Sequence, residues 1–89
     1  METQAKVREI VLGVIEGVVD VDPAEITDEK QFRELGVDSL TALDVLTALE
    51  REFRLKLGEE SMRRFVNIDG VTAVVKEALA RASNASASA

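Results

Sequence analysis

The spacing of aliphatic residues near the two ends of the chain limits the fold more than any other feature. Near the N-terminus these residues recur every three or four positions, at Val7, Ile10, Val11, Val14, Ile15 and Val18. Near the C-terminus the same spacing joins Val71, Val74, Val75, Ala78 and Leu79. This period gives each of two α-helices one apolar stripe. No segment shows the alternation of a β-strand, so the sequence predicts an all-α fold.

Cap residues and turn residues divide the chain into four predicted helices. Thr3 is taken as the N-cap of the first helix and Asn67 as that of the last. The predicted ranges are Thr3 to Val19, Ser39 to Arg54, Glu59 to Phe65 and Ile68 to about Ala82. The expected fold is a small four-helix bundle of three long helices and one short helix, forming a single domain over residues 1–82. Residues 83–89, SNASASA, have the composition of a disordered tail.

A long connection, from about Asp20 to Asp38, joins the first two predicted helices. Asp22 followed by Pro23 is typical of an N-cap and the first position of a short helical turn. A connection of this length in a small domain is often functional and is usually pinned to the core. The apolar residues expected to pin it are Ile26, Phe32, Leu35 and Val37.

The chain contains neither cysteine nor histidine. This excludes disulfides, thiol nucleophiles, metal sites built on Cys or His, and a Ser-His-Asp triad. No lysine lies at the S-x-x-K spacing from a serine. We therefore expect a protein that is not an enzyme and that has no metal site.

The net charge of −6 and the aromatic content of 3% bear on the choice of partner. Nucleic-acid binding needs a basic face, and single strands need aromatic stacking platforms. Basic patches on other proteins are the natural complement of an acidic chain. The charges near the N-terminus argue against a signal peptide or a membrane span. The expectation is a cytoplasmic monomer that binds no nucleic acid and has no membrane span.

A helical wheel of the second helix predicts a core face and an outward face. The core face consists of Ala42, Leu43, Val45, Leu46, Leu49 and Phe53. The outward face carries Leu40, Thr41, Asp44, Thr47, Ala48 and Arg51. Leu40 is a large apolar residue off the core stripe, directly after Ser39. Each of Asp38, Ser39 and Leu40 has an ordinary explanation by itself, as a cap or a scattered exposed leucine. Their combination with Gly36 and the long connection favours a functional site.

The run from Phe32 to Leu40, FRELGVDSL, resembles the phosphopantetheine attachment site of acyl carrier proteins. The resemblance extends over roughly residues 4–80. It implies that Ser39 carries a covalent 4′-phosphopantetheine arm, attached from coenzyme A by a Mg²⁺-dependent phosphopantetheinyl transferase that recognises Asp38. The arm's thiol would hold acyl intermediates as thioesters, so the chemistry belongs to the prosthetic group and to partner enzymes.

The same resemblance implies a partner surface and a cargo cleft. Acyl-loading, condensing or tailoring enzymes would contact outward positions of the second helix, namely Leu40, Asp44, Thr47 and Glu50. An acyl cleft between the helices would be lined by Leu43, Leu46, Ile68 and Val71.

Three alternatives for the function stay open. Fatty-acid carriers commonly have acids where this chain has Thr41 and Arg51, which favours a specialised polyketide or hybrid pathway over fatty-acid synthesis. A peptidyl or aminoacyl carrier of a non-ribosomal assembly line would share the fold and the arm, although the Gly36–Ser39 run favours the acyl class. An interaction module without an arm is the third. The sequence leaves open the cargo, the cognate enzymes and whether the chain is freestanding.

Overall fold

A computed structural model of the protein describes the backbone of residues 2–88 and the side chains of residues 3–82. Its long helices are α1 (Glu2–Glu16), α2 (Ser39–Phe53) and α3 (Ile68–Ser88). Short 3₁₀-helices lie between them at Pro23–Glu25, Phe32–Leu35 and Glu59–Arg64. Residues 2–88 contain no strand. The predicted all-α bundle, with three long helices and a short one before the last, is confirmed.

The core forms where α1 packs against both α2 and α3. The two stripes that the sequence predicted supply most of its centre, and its fully buried side chains include Val7, Val11, Ile15, Ile26, Leu49, Ile68, Val71 and Val75. Burial of one such aliphatic side chain contributes about 1.5–3 kcal/mol. A short chain with almost no aromatic residues therefore relies on these three helices meeting along their apolar stripes.

The connection between α1 and α2 is pinned to the rest of the bundle, as predicted. Ile26, Phe32 and Leu35 are buried in the core, and Val37 packs against it. The Arg8 guanidinium donates hydrogen bonds to Asp28 Oδ1 at 2.7 Å and to the Ile26 carbonyl at 3.2 Å. These bonds tie the connection to α1 and fix the approach to α2.

α1 begins one residue before the predicted start at about Thr3 and ends three residues before the predicted end at Val19. The helix begins at Glu2, so Thr3 lies within it and is not the N-cap. It ends at Glu16 because the amides of Val18 and Val19 both donate to the carbonyl of Ile15, at 3.0 and 2.9 Å, and close a turn. Val18 therefore leaves the buried stripe and is 55% exposed.

α3 extends beyond its predicted end at Ala82, through Ser88. Alanine has the highest intrinsic helix propensity, so the alanines after Ala82 favour continuation of the helix. The side chains of residues 83–89 lie outside the described part of the chain. The boundary at residue 82 and the disorder of residues 83–89 stay predictions.

The wheel placed two residues of α2 on the wrong face. Leu43, predicted to lie in the core, is 38% exposed, whereas Thr41, predicted to face outward, is 3% exposed. The buried stripe follows the four-residue steps from Thr41 through Val45 to Leu49. Burial of Thr41 is tolerated because its polar groups bond to the side chain of Asp38.

No helix among residues 2–88 combines the length and the hydropathy needed to cross a membrane. This agrees with the charged residues that interrupt the N-terminal stripe. The expected cytoplasmic location and monomeric state stay predictions.

Candidate functional site

The connection before α2 ends in a tight turn that presents Ser39. Gly36 has φ 85°, in the left-handed region that glycine adopts without steric cost, and its N–H bonds to the Arg33 carbonyl at 3.3 Å. Asp38 is extended and forms the N-cap of α2. The helix then begins at Ser39, whose side chain is exposed.

Asp38, and not Ser39, caps the helix. Asp38 Oδ1 accepts the backbone N–H of Thr41 at 2.9 Å. Hydrogen bonds from that N–H and then from the Thr41 hydroxyl hold the pKa of the Asp38 carboxyl below its ordinary value. Among the described residues no hydrogen bond occupies the Ser39 hydroxyl. The sequence offered both residues as caps, and the structure leaves the serine free for another role.

The lowered pKa of Asp38 makes part of the stability depend on pH. A carboxyl with a lowered folded-state pKa stabilises the fold above its unfolded-state pKa of about 4, and this contribution is lost as the pH falls through the folded-state pKa. Asp38→Asn keeps an oxygen acceptor for the Thr41 N–H but does not titrate. Between about pH 7 and about pH 3, we expect the unfolding temperature of the wild type to fall further than that of Asp38→Asn. Equal falls would contradict this role of the carboxylate.

A groove of about 620 Å³ opens beside Ser39. The connection, the start of α2 and the 3₁₀-helix Glu59–Arg64 with the residues after it form its walls. Its apolar lining consists of Phe32, Val37, Ala42, Met62, Phe65 and Val66. Gln31, Arg33, Asp38 and Arg63 add polar groups. An apolar groove with a few polar groups is typical of a small-molecule site.

The 4′-phosphopantetheine arm that the sequence implies fits this site. Ser39 offers an exposed hydroxyl at the first turn of a long helix, where the peptide dipoles favour a phosphodiester. The groove that includes Ser39 gives a flexible, partly apolar chain a surface to lie against.

The four residues predicted to line an acyl cleft between the helices are not part of this groove. Leu46, Ile68 and Val71 are buried in the core, and Leu43 is partly exposed on α2. None of them lines the groove beside Ser39. The groove is lined in part by Met62, Phe65 and Val66, which the sequence analysis did not identify as site residues. In the sequence they form only an apolar cluster just before α3. A cleft between the helices stays a prediction.

The predicted partner residues on the outward face of α2 differ in their exposure and hydrogen bonding. Leu40 is 73% exposed, and Asp44 and Thr47 are also exposed. Glu50, in contrast, is half-buried, and its Oε2 accepts the N–H groups of Leu57 and Gly58 at 2.8 and 3.2 Å. Its carboxylate therefore fixes the chain after α2, a role that the sequence did not indicate.

The chain resembles a known protein family and several known proteins over most of its length. Residues 9–75 match the sequence model of the family described as the phosphopantetheine attachment site. Polyketide-8 synthase acyl carrier protein 1 of Streptomyces avermitilis is 36% identical over 74 residues, which cover 82% of this chain and 83% of that protein. The acyl carrier protein 2 of the same synthase is 36% identical over 69 residues. An acyl carrier protein of Helicobacter pylori is 31% identical over 70 residues, which cover 78% of this chain and 90% of that one.

Solved structures are similar to this fold. A chain in the structure described as the ishigamide ketosynthase/chain length factor matches with a TM-score of 0.69 and 31% identity, over 86% of this chain and 93% of that chain. The solution structure of a holo acyl carrier protein from Geobacter metallireducens matches with a TM-score of 0.72, over 94% of this chain and 93% of that one. Its identity is 22%, so this second match supports the fold alone.

Proposed function

This chain belongs to the acyl carrier proteins, which hold their cargo on covalent 4′-phosphopantetheine, and we propose that Ser39 is its attachment residue. Members of this family are carriers and not catalysts. The observation that supports Ser39 most directly is its exposed hydroxyl, free of the capping role that Asp38 takes, at the start of α2 and beside an apolar groove.

The residues around Ser39 suit the proposed modification. Ser39 Oγ would bond to the phosphorus that bears the pantetheine group as the pyrophosphate bond of coenzyme A breaks. Adenosine 3′,5′-bisphosphate would leave, and a phosphopantetheinyl transferase would take the serine proton. The new phosphodiester would lie at the N-terminus of α2, where unpaired N–H groups favour an anion. When attached, the prosthetic group supplies a terminal thiol that holds acyl groups as thioesters.

We also propose that the cargo consists of acyl intermediates of a polyketide or hybrid pathway. The relatives named for a polyketide synthase and the similar chain in the ketosynthase/chain length factor structure support this assignment. Thr41 and Arg51, where fatty-acid carriers commonly have acids, point the same way. The partners would be acyl-loading, condensing or tailoring enzymes.

Loading of the wild-type protein tests the attachment residue. After incubation with coenzyme A and a promiscuous transferase, the intact mass should rise by one phosphopantetheine group. Trypsin cuts after Arg33 and Arg51, and the peptide between these cuts contains one serine, Ser39. The added mass should map to that residue by fragmentation. An unmodified protein, or a modification at Thr41 or Thr47, would refute the proposed site.

The proposed partner face is tested by reversing the charge of Asp44. Its carboxylate is exposed on α2, so Asp44→Lys should slow encounter with a basic partner, by about tenfold at low salt and less at high salt. Asp20→Lys makes the same charge change at an exposed position in the α1–α2 connection, outside α2, and serves as the control. Glu50 is unsuitable for this comparison because its carboxylate holds the backbone. Equal transfer rates for the Asp44 variant, the control and the wild type would exclude Asp44 from the docking face.

A further inference from the structure

Two arginines, Arg33 and Arg63, line the groove beside Ser39. We propose that Arg33 and Arg63 form an anion subsite that binds an anionic oxygen group of the arm or its cargo. The proposal rests on the proposed attachment at Ser39. It adds two positioning residues and a chemical preference that the attachment site alone does not imply.

The charge of the groove runs against that of the whole chain. The chain has a net charge of −6, yet two guanidinium groups and one carboxylate, that of Asp38, line the groove. The Asp38 carboxylate already accepts hydrogen bonds from Thr41 at the start of α2. The groove therefore has a local excess of positive charge next to the residue that would carry a phosphodiester.

Four of the nine other basic residues form ion pairs within the fold. Lys6, Arg8, Lys30 and Arg64 each form an ion pair. Arg64, next to Arg63, donates two hydrogen bonds of 2.7 Å to the Glu77 carboxylate. Among the side chains of residues 3–82, no carboxylate lies within ion-pair distance of Arg33 or Arg63. Arg64 is thus paired with Glu77, whereas Arg63 lines the groove.

Arg33 is held in place without losing its charge. Its Nε donates to Gln31 Oε1 at 2.9 Å, and Gln31 is another residue of the groove wall. A neutral amide partner orients the guanidinium, whose remaining N–H groups stay available to an anion. Arg33 is therefore partly ordered before any ligand binds, which reduces the entropy lost on binding.

A backbone hydrogen bond keeps the two arginine-bearing segments together. The N–H of Phe32, adjacent to Arg33, donates to the carbonyl of Val66 at 2.7 Å. Val66 follows the 3₁₀-helix Glu59–Arg64 that carries Arg63. The Asn67 side chain adds a hydrogen bond of 3.3 Å to the Glu29 carbonyl. These hydrogen bonds thus hold the two segments together as adjoining walls of the groove.

The ligand chemistry follows from the guanidinium groups and their setting. Arginine presents a planar fork of N–H donors that matches the oxygens of phosphate and carboxylate. Two groups could supply these oxygens. One is the phosphodiester on Ser39, and the other is a free carboxylate on a dicarboxylic acyl cargo. The apolar side chains of Phe65 and Val66 nearby would strengthen either interaction by lowering the local polarity.

NMR of the Arg Nε–H signals tests the subsite in four forms of the protein: without the arm, with the arm, with a neutral acetyl cargo, and with a malonyl cargo. A shift of the Arg33 and Arg63 signals on arm attachment would identify the phosphodiester as the occupant. A shift only on malonyl loading would identify the cargo carboxylate. Either result supports the subsite, and either shift should shrink at high salt. Unchanged signals in every form would overturn it. So would signals that do not change on arm attachment and then shift equally with acetyl and malonyl cargo.

A double variant provides the matched comparison. In Arg33→Gln/Arg63→Gln the ³¹P resonance of the armed protein, or the carbonyl resonances of the malonyl form, should move away from their wild-type positions. Arg51→Gln/Arg81→Gln removes the same charge at exposed positions outside the groove and should leave those resonances in place. Identical resonances in all three proteins would also overturn the subsite. Intact mass separates this from the attachment proposal, because a wild-type protein that gains no arm refutes the attachment at Ser39.

Discussion

Replacing Ser39 by alanine is expected to abolish attachment of the arm while leaving the stability of the fold close to that of the wild type. The first effect follows because the variant lacks the hydroxyl that would form the phosphodiester. The second follows because Asp38 supplies the cap of α2. Loss of a capping serine costs about 1 kcal/mol. An exposed serine that does not cap should cost less than about 0.5 kcal/mol.

The two measurements together separate the carrier function from a purely structural role. Intact mass after treatment with coenzyme A and a transferase reports the arm, and urea denaturation reports the free energy of unfolding. Ser61→Ala is the control for loading, because it removes a serine hydroxyl that does not line the groove beside Ser39 and that donates to the Leu57 carbonyl at 2.6 Å. The control should load normally. An Ser39→Ala protein that still gains the arm would disprove the attachment at Ser39.

The helical stripes could be predicted because their period is a property of the backbone and does not depend on the fold. Val7, Val11 and Ile15 in α1 and Val71 and Val75 in α3 are all buried, as the spacing indicated. The ends of the helices were harder because tertiary contacts and local hydrogen bonds decide them. α1 ends where the amides of Val18 and Val19 both donate to the Ile15 carbonyl. The spacing of apolar residues does not predict such a turn.

The attachment turn was also accessible from the sequence, because glycine and cap residues have local conformational preferences. Gly36 has a positive φ, which glycine adopts more readily than other residues, and Asp38 is one of the two caps considered. The sequence did not show whether Asp38 or Ser39 caps α2. It depends on which side-chain oxygen reaches the Thr41 N–H once the chain has entered the helix.

The groove could not be predicted because residues distant in sequence form it. Phe32 and Val66 meet through a backbone hydrogen bond, which brings Arg33 and Arg63 to the same opening. Arg63 and Arg64 are adjacent arginines, and the sequence does not distinguish them. The structure distinguishes them, since Glu77 on α3 pairs with Arg64.

Close packing around the groove also predicts a large loss of stability when Gly70 is replaced. Gly70 lies in the first turn of α3, and a Cβ there would overlap with the backbone carbonyl oxygen of Arg64. It would also lie 3.3 Å from Asn67 Oδ1, which accepts the Gly70 N–H. Neither the carbonyl nor the cap can move without disturbing the 3₁₀-helix that carries Arg63. Gly70→Ala should therefore destabilise the protein by about 1–3 kcal/mol.

Gly13 provides the opposite result for the same chemical change. It lies inside α1, and a Cβ there would meet nothing within 4 Å. Because alanine restricts the unfolded chain and favours helix, Gly13→Ala should stabilise the protein by about 0.5–1 kcal/mol. Urea denaturation of the two variants should thus shift the unfolding midpoint in opposite directions. An unfolding midpoint of Gly70→Ala at or above that of the wild type would show that the Arg64 carbonyl does not exclude a side chain at Gly70. A lowered midpoint of Gly13→Ala would contradict the open space at Gly13.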